Sequence, residues 1–446
     1  MNLSFKLAER ADAGQPIRIG QIGAGKFGTM FLAQLRLTKG MHLMGLADLM
    51  PDRAKTRLGD VGWPAEQYSA ASLDEAFSAG SAFVTDDQAA LIDDPRIDVI
   101  IEATGDPGNG IRIAKAAIAA GKHIVMVNVE ADALAGPLLA RMARDAGVVY
   151  SLAWGDQPAL ICEHIDWART CGFDVVAAGK GTRYHPRYHA STPETVWDIL
   201  ATYLPIEQRD HINPKMFNSF LDGTKSGIEM TAVCNAMDLQ PQTNGLAFPP
   251  ASRFELADVC KPKADGGTLE AKSVTECVSS VTRDEDDVAH NLVMGTYVVI
   301  SSQSDYAETC FREYNCLPDK SGQYAALYRP THMIGLELGL SVASAALRGE
   351  PTGTARVFNS DVVAIAKRSL KAGEVLDGEG GFTVWGRQTP ARMSLDEGLL
   401  PLGLAHNTTL KSDIAEGQPV RWSDVEIDKR DDAVVTRRAM EAEFGG

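Results

Sequence analysis

Along the first third of the chain, short dense apolar runs alternate with segments whose apolar residues recur three and four apart. IRIGQI (17–22) reads as a buried strand. It runs into Gly23-Ala24-Gly25-Lys26-Phe27-Gly28 and then TMFLAQLRL, which has helical spacing. MHLMGLAD, ending at Asp48, reads as the next strand. IDVIIEATG (97–105), KHIVMVNVE (122–130) and VVYSLAW (148–154) are further strands, with helices expected over 108–121 and 131–146. Strands separated by helices predict parallel βαβ units. The expected fold class is therefore α/β: a Rossmann-type doubly wound parallel sheet over 1–155, an α+β domain over 156–352, and a small β-rich domain over 353–446. In the middle part FDVVAAGKG (173–181) reads as a strand, and 331–350 carries a helix expected to pack back on the first domain. The last part contains an internal echo. AKRSLKAGEVLDGEG (366–380) and TLKSDIAEGQPVRWSDV (409–425) share a pattern that predicts two similar strand–turn units, followed by a charged, helical or frayed tail.

Charge narrows the class of partner. With 43 Lys+Arg against 59 Asp+Glu, the net charge is −16, which repels a polyanion and argues against nucleic acid. No run reaches the ~18 apolar residues of a membrane span. The N-terminal segment is interrupted by Lys6, Glu9, Arg10 and Asp12, unlike the apolar core of a signal peptide. Seven cysteines without CxxC spacing read as reduced thiols, so a cytoplasmic protein is expected.

Candidate chemistry begins at the glycine motif. Gly23, Gly25 and Gly28 lie between a strand and a helix, the context in which GxGxxG binds a dinucleotide. The first glycine permits the tight turn, the second admits the pyrophosphate, and the third lets helix and strand pack closely. Ala24, Lys26 and Phe27 complete the loop. Asp48 falls about 20 residues after Gly28, where a ribose-binding acid is expected. An Asp there favours NAD, whereas Arg53, Lys55 and Arg57 just downstream could balance a 2′-phosphate. Ligands in such sheets sit at the carboxyl ends of the strands. That makes Ala103, Thr104, Gly105, Asn128, Glu130 and the turn containing Pro158 cleft candidates.

Three further stretches carry titratable groups. Lys180, Arg183, His185, Arg187 and His189 fall within ten residues that contain no acid, as an anion pocket requires. Asp222, Lys225 and Glu229 would share one helix face at i, i+3 and i, i+4, suited to polarising a carbonyl, moving a proton or holding a divalent cation. Arg329, within Tyr328-Arg329-Pro330-Thr331-His332, could clamp an anion. The stretch 284–287, Asp-Glu-Asp-Asp, reads as a solvated turn.

Over nearly its whole length the chain resembles the homoserine dehydrogenase-like oxidoreductases with a C-terminal SAF domain. IGQIGAGKFG, IEATG, VMVNVEAD, FLDGTKSGIEM, LYRPTHMIGLELG and the C-terminal echo carry the resemblance. Within that group it looks most like the 1-deoxy-D-xylulose 5-phosphate reductoisomerase-like family. The resemblance implies NADPH, a phosphorylated small-molecule substrate, a homodimer, and conversion of 1-deoxy-D-xylulose 5-phosphate to 2-C-methyl-D-erythritol 4-phosphate, an isoprenoid precursor. A divalent cation, Mg or Mn, would fit such a reaction, with ligands unknown. A sister activity is oxidoisomerisation of a branched sugar acid such as apionate. A homoserine dehydrogenase-like enzyme and an inactive nucleotide sensor are the remaining readings. Homoserine dehydrogenases carry Ala-Asn-Lys where this chain has Val127-Asn128-Val129, and the GSTGS and Asp-Ser-Glu strings of the standard reductoisomerase do not occur. On this reading 156–352 is the catalytic and dimerisation domain, and Lys180, Arg183 and Arg329 contribute to anion anchoring. Lys225 contributes to polarisation or proton transfer, with Asp222 and Glu229 orienting it or holding a divalent ion, and His185 is a further catalytic candidate.

Overall fold

The structure, a computed structural model, describes residues 2–201 and 213–445. Contacts divide it into two compact units, Met1–Leu160 with Met333–Arg356, and Ile161–His332 with Val357–Gly446.

The first unit is built on a six-stranded sheet of β1 (Ile17–Ile22), β2 (Met41–Ala47), β3 (Phe83–Thr85), β4 (Val99–Glu102), β5 (His123–Met126) and β6 (Tyr150–Leu152). All pairs are parallel, in the order β3-β2-β1-β4-β5-β6. This is the doubly wound order whose crevice opens beside the first strand. Ile17, Ile19, Val99, Ile101 and Val125 are essentially inaccessible, because a parallel sheet covered on both faces buries both sides of each strand. The helix expected within 331–350 spans only Gly339–Arg348. Ahead of it Gly335 has φ +76, and a Cβ there would lie 2.6 Å from the Phe27 carbonyl oxygen, so the segment turns before helix can start. Leu338, Val342 and Ala343 complete the core of this unit.

The second unit holds a four-stranded sheet of β7 (Asp174–Thr182), β8 (Val274–Ser279), β9 (Thr296–Ser301) and β10 (Tyr324–Arg329), ordered β10-β9-β7-β8. β7 is central, parallel to β8 and antiparallel to β9. The helix Thr224–Met237 is buried over nearly its whole circumference, which accounts for its apolar sequence. One side meets the sheet. The other meets β11 (Ser360–Ala366) and β13 (Val384–Pro390), which pair antiparallel. β12 (Val375–Asp377), β14 (His406–Leu410) and β15 (Val425–Glu426) form a small separate sheet.

The two echoed segments bind each other reciprocally. Leu370 N–H donates to the Ile414 carbonyl at 2.8 Å, and Ile414 N–H donates back at 3.0 Å. Gly373 N–H reaches Leu410 O at 2.8 Å while Gly417 N–H reaches Ala366 O at 2.9 Å, so the copies exchange equivalent bonds. No helix among the described residues is long and apolar enough to cross a membrane.

Candidate active site

In the first unit, Gly23 has φ +101, and a Cβ there would strike the Ala103 carbonyl. Gly28 packs so closely that a Cβ would lie 2.5 Å from Gly23 O. Gly25 begins the helix Lys26–Leu35, and a Cβ on it would meet nothing within 4 Å. The first and third glycines thus meet the needs of packing, while the second leaves open space at a helix N-terminus, as a pyrophosphate requires. Lys26 is exposed beside Gly25 and Phe27 packs on the core. Asp48 accepts from Ala24 N–H at 2.8 Å and from Met50 N–H at 2.9 Å, tying the end of β2 to the glycine loop. Arg53 Nη2 lies 3.3 Å from Asp48 Oδ1 with half its side chain exposed. Arg57 instead meets Asp60 at 3.4 Å, so of these two arginines Arg53 is the one at the ribose acid. These residues fit a nicotinamide dinucleotide.

At the end of β4, Glu102 is fully inaccessible. Its Oε1 accepts from Thr104 N–H at 2.9 Å and from the Thr104 hydroxyl. Burial pushes this carboxyl up to about 7, against the hydrogen bonds from Thr104. Ala103, Thr104 and Gly105 follow directly, so Glu102 holds the turn at the cleft end of the strand. Asn128 donates to Asp106 O at 2.9 Å and caps the helix Val129–Asp145 through Ala131 N–H at 3.1 Å. That helix starts earlier than the sequence pattern predicts, which puts Glu130 on its first turn rather than at a strand end. Pro158 sits buried in the first turn of the helix Gln157–Thr170.

The second unit rearranges the predicted constellations. Asp222 and Lys225 do not share a helix face. Asp222 caps the helix Pro214–Leu221, Gly223 turns with φ +91, and the next helix begins at Thr224. The Asp222 carboxylate is fully buried. Its Oδ1 accepts from Thr224 N–H at 2.9 Å and its Oδ2 from Lys367 Nζ at 2.7 Å. Lys367, on the segment after β11, also donates to the carbonyls of Ser191 at 2.7 Å and Gly381 at 2.8 Å. Glu229 pairs with Lys180 of β7 at 2.5 Å, both side chains about 95% or more buried. The helix row of Asp222, Lys225 and Glu229 is thus two separate buried ion pairs, with Lys225 half-buried between them in sequence.

The basic stretch is likewise answered by acids from a distance. Arg183 meets Asp287 at 2.8 Å and Arg187 meets Glu285 at 2.5 Å, so the acidic turn 284–287 lies against it. His185 bonds the Arg283 carbonyl at 3.1 Å. His189 Nδ1 donates to the Asp222 carbonyl at 2.7 Å. A carbonyl only accepts, so the proton is on Nδ1 and Nε2 receives the Tyr184 hydroxyl at 2.8 Å. His189 also stacks on Trp385 at 3.7 Å, and Tyr184 stacks on Phe248 at 3.8 Å. Arg329 ends the edge strand β10 half-buried. Burial first, then the Arg329 charge, lower His164 to about 4, so it stays neutral while bonded to the Thr296 hydroxyl at 3.0 Å. Glu102, His164 and Lys367 were not singled out as site groups from sequence.

A divalent cation does not fit these donors. Asp222 and Glu229 each face a lysine, and among the described residues no three His, Cys, Asp or Glu side chains converge.

Residues 155–338 match the catalytic domain of the oxidoreductase DRL family, 361–426 the SAF domain, and 17–127 the oxidoreductase family with an NAD-binding Rossmann fold. The chain is an NAD(P)-dependent oxidoreductase. It combines a Gfo/Idh/MocA-type Rossmann domain with DRL catalytic and SAF domains. No curated protein matches it. Among solved structures, this oxidoreductase is similar to the oxidoreductase YvaA of Bacillus subtilis at 15% identity, covering 75% of this chain and 89% of the other with a TM-score of 0.37. A dehydrogenase from Thermotoga maritima aligns at 14% identity over 72% and 69%, TM-score 0.32. DOX-P reductoisomerase in complex with magnesium aligns at 16% over 50% and 58%, TM-score 0.33. None of these likenesses bears on the substrate.

Proposed function

We propose that this oxidoreductase is an NADPH-dependent reductoisomerase that converts 1-deoxy-D-xylulose 5-phosphate to 2-C-methyl-D-erythritol 4-phosphate. The observation that carries the reading is the Lys180–Glu229 pair, an ammonium and a carboxylate buried together in the DRL-type domain. Such a reaction breaks and remakes a C–C bond and then reduces the aldehyde formed. Groups that polarise a carbonyl and pass a proton are needed for the first half. Lys225 polarises the substrate carbonyl. Glu229 takes up the hydroxyl proton, and the Lys180 ammonium balances its charge. Arg329 anchors the anionic end. The bound nicotinamide supplies the hydride for the second half, and Arg53 beside Asp48 supports a 2′-phosphate. The homodimer implied by the resemblance belongs to this proposal.

A second reading rests on a different observation. Arg183 and Arg187 are already paired with Asp287 and Glu285, leaving less positive charge for a dianion. That favours a single carboxylate, as in a branched sugar acid such as apionate. Steady-state assays with both nucleotides separate the readings. Turnover of the deoxyxylulose phosphate supports the first, and its absence with either nucleotide refutes it. Stronger inhibition by simple carboxylates than by inorganic phosphate supports the second.

A further inference from the structure

A cavity of about 770 Å³ lies in the C-terminal part of the second unit. The helix Asp432–Phe444 forms one wall through Val434, Val435 and Arg438, which share a face at i, i+3 and i, i+4 spacing. The other wall comes from Lys411, just past β14, and from Trp422 through β15. Val425 and Val434 are buried and make an apolar floor. The volume falls within the ~300–1,000 Å³ of small-molecule sites.

The charges around this floor are one-sided. Lys411, Lys429 and Arg438 line the cavity with one carboxylate, Glu426, and a second, Glu441, pairs with Arg438, so two lysine charges face the space in a chain of net charge −16. Among the described residues neither lysine makes an ion pair, so both ammoniums remain available to a ligand. Arg438 is fixed in place. Its guanidinium carbon lies 3.5 Å from the centre of the Trp422 ring, and Glu441 bonds it at 2.6 Å. The indole takes the face of the guanidinium and Glu441 takes Nη1, so Arg438 meets an oxyanion through its remaining N–H groups.

We infer that this cavity is a binding site for a small amphiphilic anion, an apolar body carrying one carboxylate, sulfonate or phosphate. The body lies on Val425, Val434 and the Trp422 edge, and the anionic group meets Lys411, Lys429 and Arg438. Neither the cofactor nor the substrate chemistry of the oxidoreductase uses these residues. The site therefore gives the SAF region a ligand of its own.

The probe is 1-anilinonaphthalene-8-sulfonate, an aromatic sulfonate that brightens on leaving water, titrated into the full-length protein. Saturable binding near one per chain is expected. Lys411→Gln/Lys429→Gln/Arg438→Gln should weaken it at least tenfold, with the melting temperature checked alongside. Val434→Asp, which attacks the floor and leaves the cations in place, should weaken it as well. Unchanged binding in the triple variant overturns the inference. Competition distinguishes the apolar and charged parts. Octanoate should displace the probe at concentrations where inorganic phosphate does not, and equal displacement by both reduces the site to a nonspecific charge patch and overturns the amphiphile.

Discussion

Replacing Lys367 by Met removes the cation that faces Asp222 inside the second unit. The lysine side chain is 2% exposed and the carboxylate 0%, so water cannot take over as partner. The Gly381 carbonyl loses the Lys367 donor at the same time, whereas the Ser191 carbonyl keeps the Asn218 amide at 2.9 Å. Leaving one charge of a buried pair alone costs about 3–5 kcal/mol, and the Gly381 carbonyl left without this donor adds about 1 kcal/mol or more. Lys367→Met should therefore destabilise the protein by roughly 4 kcal/mol or more. Asp222→Asn keeps the oxygen that caps Thr224 N–H but sets an amide donor against the ammonium, so it is costly too. The double variant Lys367→Met/Asp222→Asn removes both charges and should recover about 2–3 kcal/mol relative to the sum of the single changes, the upper range for residues in one network. Urea unfolding of the four proteins, with refolding shown, measures that cycle. Single costs that add within about 0.5 kcal/mol would show that the two groups do not depend on each other and would refute the reasoning.

Arg53→Ala should raise the Michaelis constant for NADPH and leave that for NADH nearly unchanged, whereas Arg57→Ala should alter neither, since Arg57 faces Asp60. Equal effects of Arg53→Ala on both nucleotides would remove it from phosphate recognition. Lys225→Met should lower turnover by roughly 10²–10⁴ while nucleotide affinity measured by fluorescence titration stays the same; near-normal turnover with a lowered melting temperature would make it a structural lysine. Glu102 has a folded pKa raised to about 7, so its contribution to stability is present below the unfolded value near 4.5 and is lost as pH rises through 7. Glu102→Gln should flatten the melting temperature across that window, and an unchanged pH profile would show that Glu102 does not titrate there.

The nucleotide end was legible because each of its signals is local. Strand, glycine loop, helix and Asp48 follow one another along the chain, and the physics that joins them acts over a few residues. The second unit was less so. Asp222 and Lys225 look like helix neighbours until Gly223 is given its left-handed turn, and a glycine directly after an Asp is a signal for that break. Nothing near Asp222 in sequence points to Lys367, since the partner arrives from another sheet. Arg183 and Arg187 appear free of acid for the same reason, with their partners about a hundred residues later. Glu102 left a trace, a lone charge ending an apolar strand, which has no reason to be there unless the carboxyl is used.

The first unit closes only with a segment that comes late in synthesis. Its core needs Leu338 and Val342, yet everything from Ile161 to His332 is translated in between. At about 5–20 residues per second, the ribosome takes roughly ten seconds or more to deliver them. During that time the core that holds Phe31 and Leu35 of the helix Lys26–Leu35 lacks Leu338, Val342 and Ala343, and apolar surface they cover in the finished unit is open to solvent. Translation speed through the intervening stretch, and any chaperone able to shield that surface, therefore bear on the yield of this protein as directly as its final stability does.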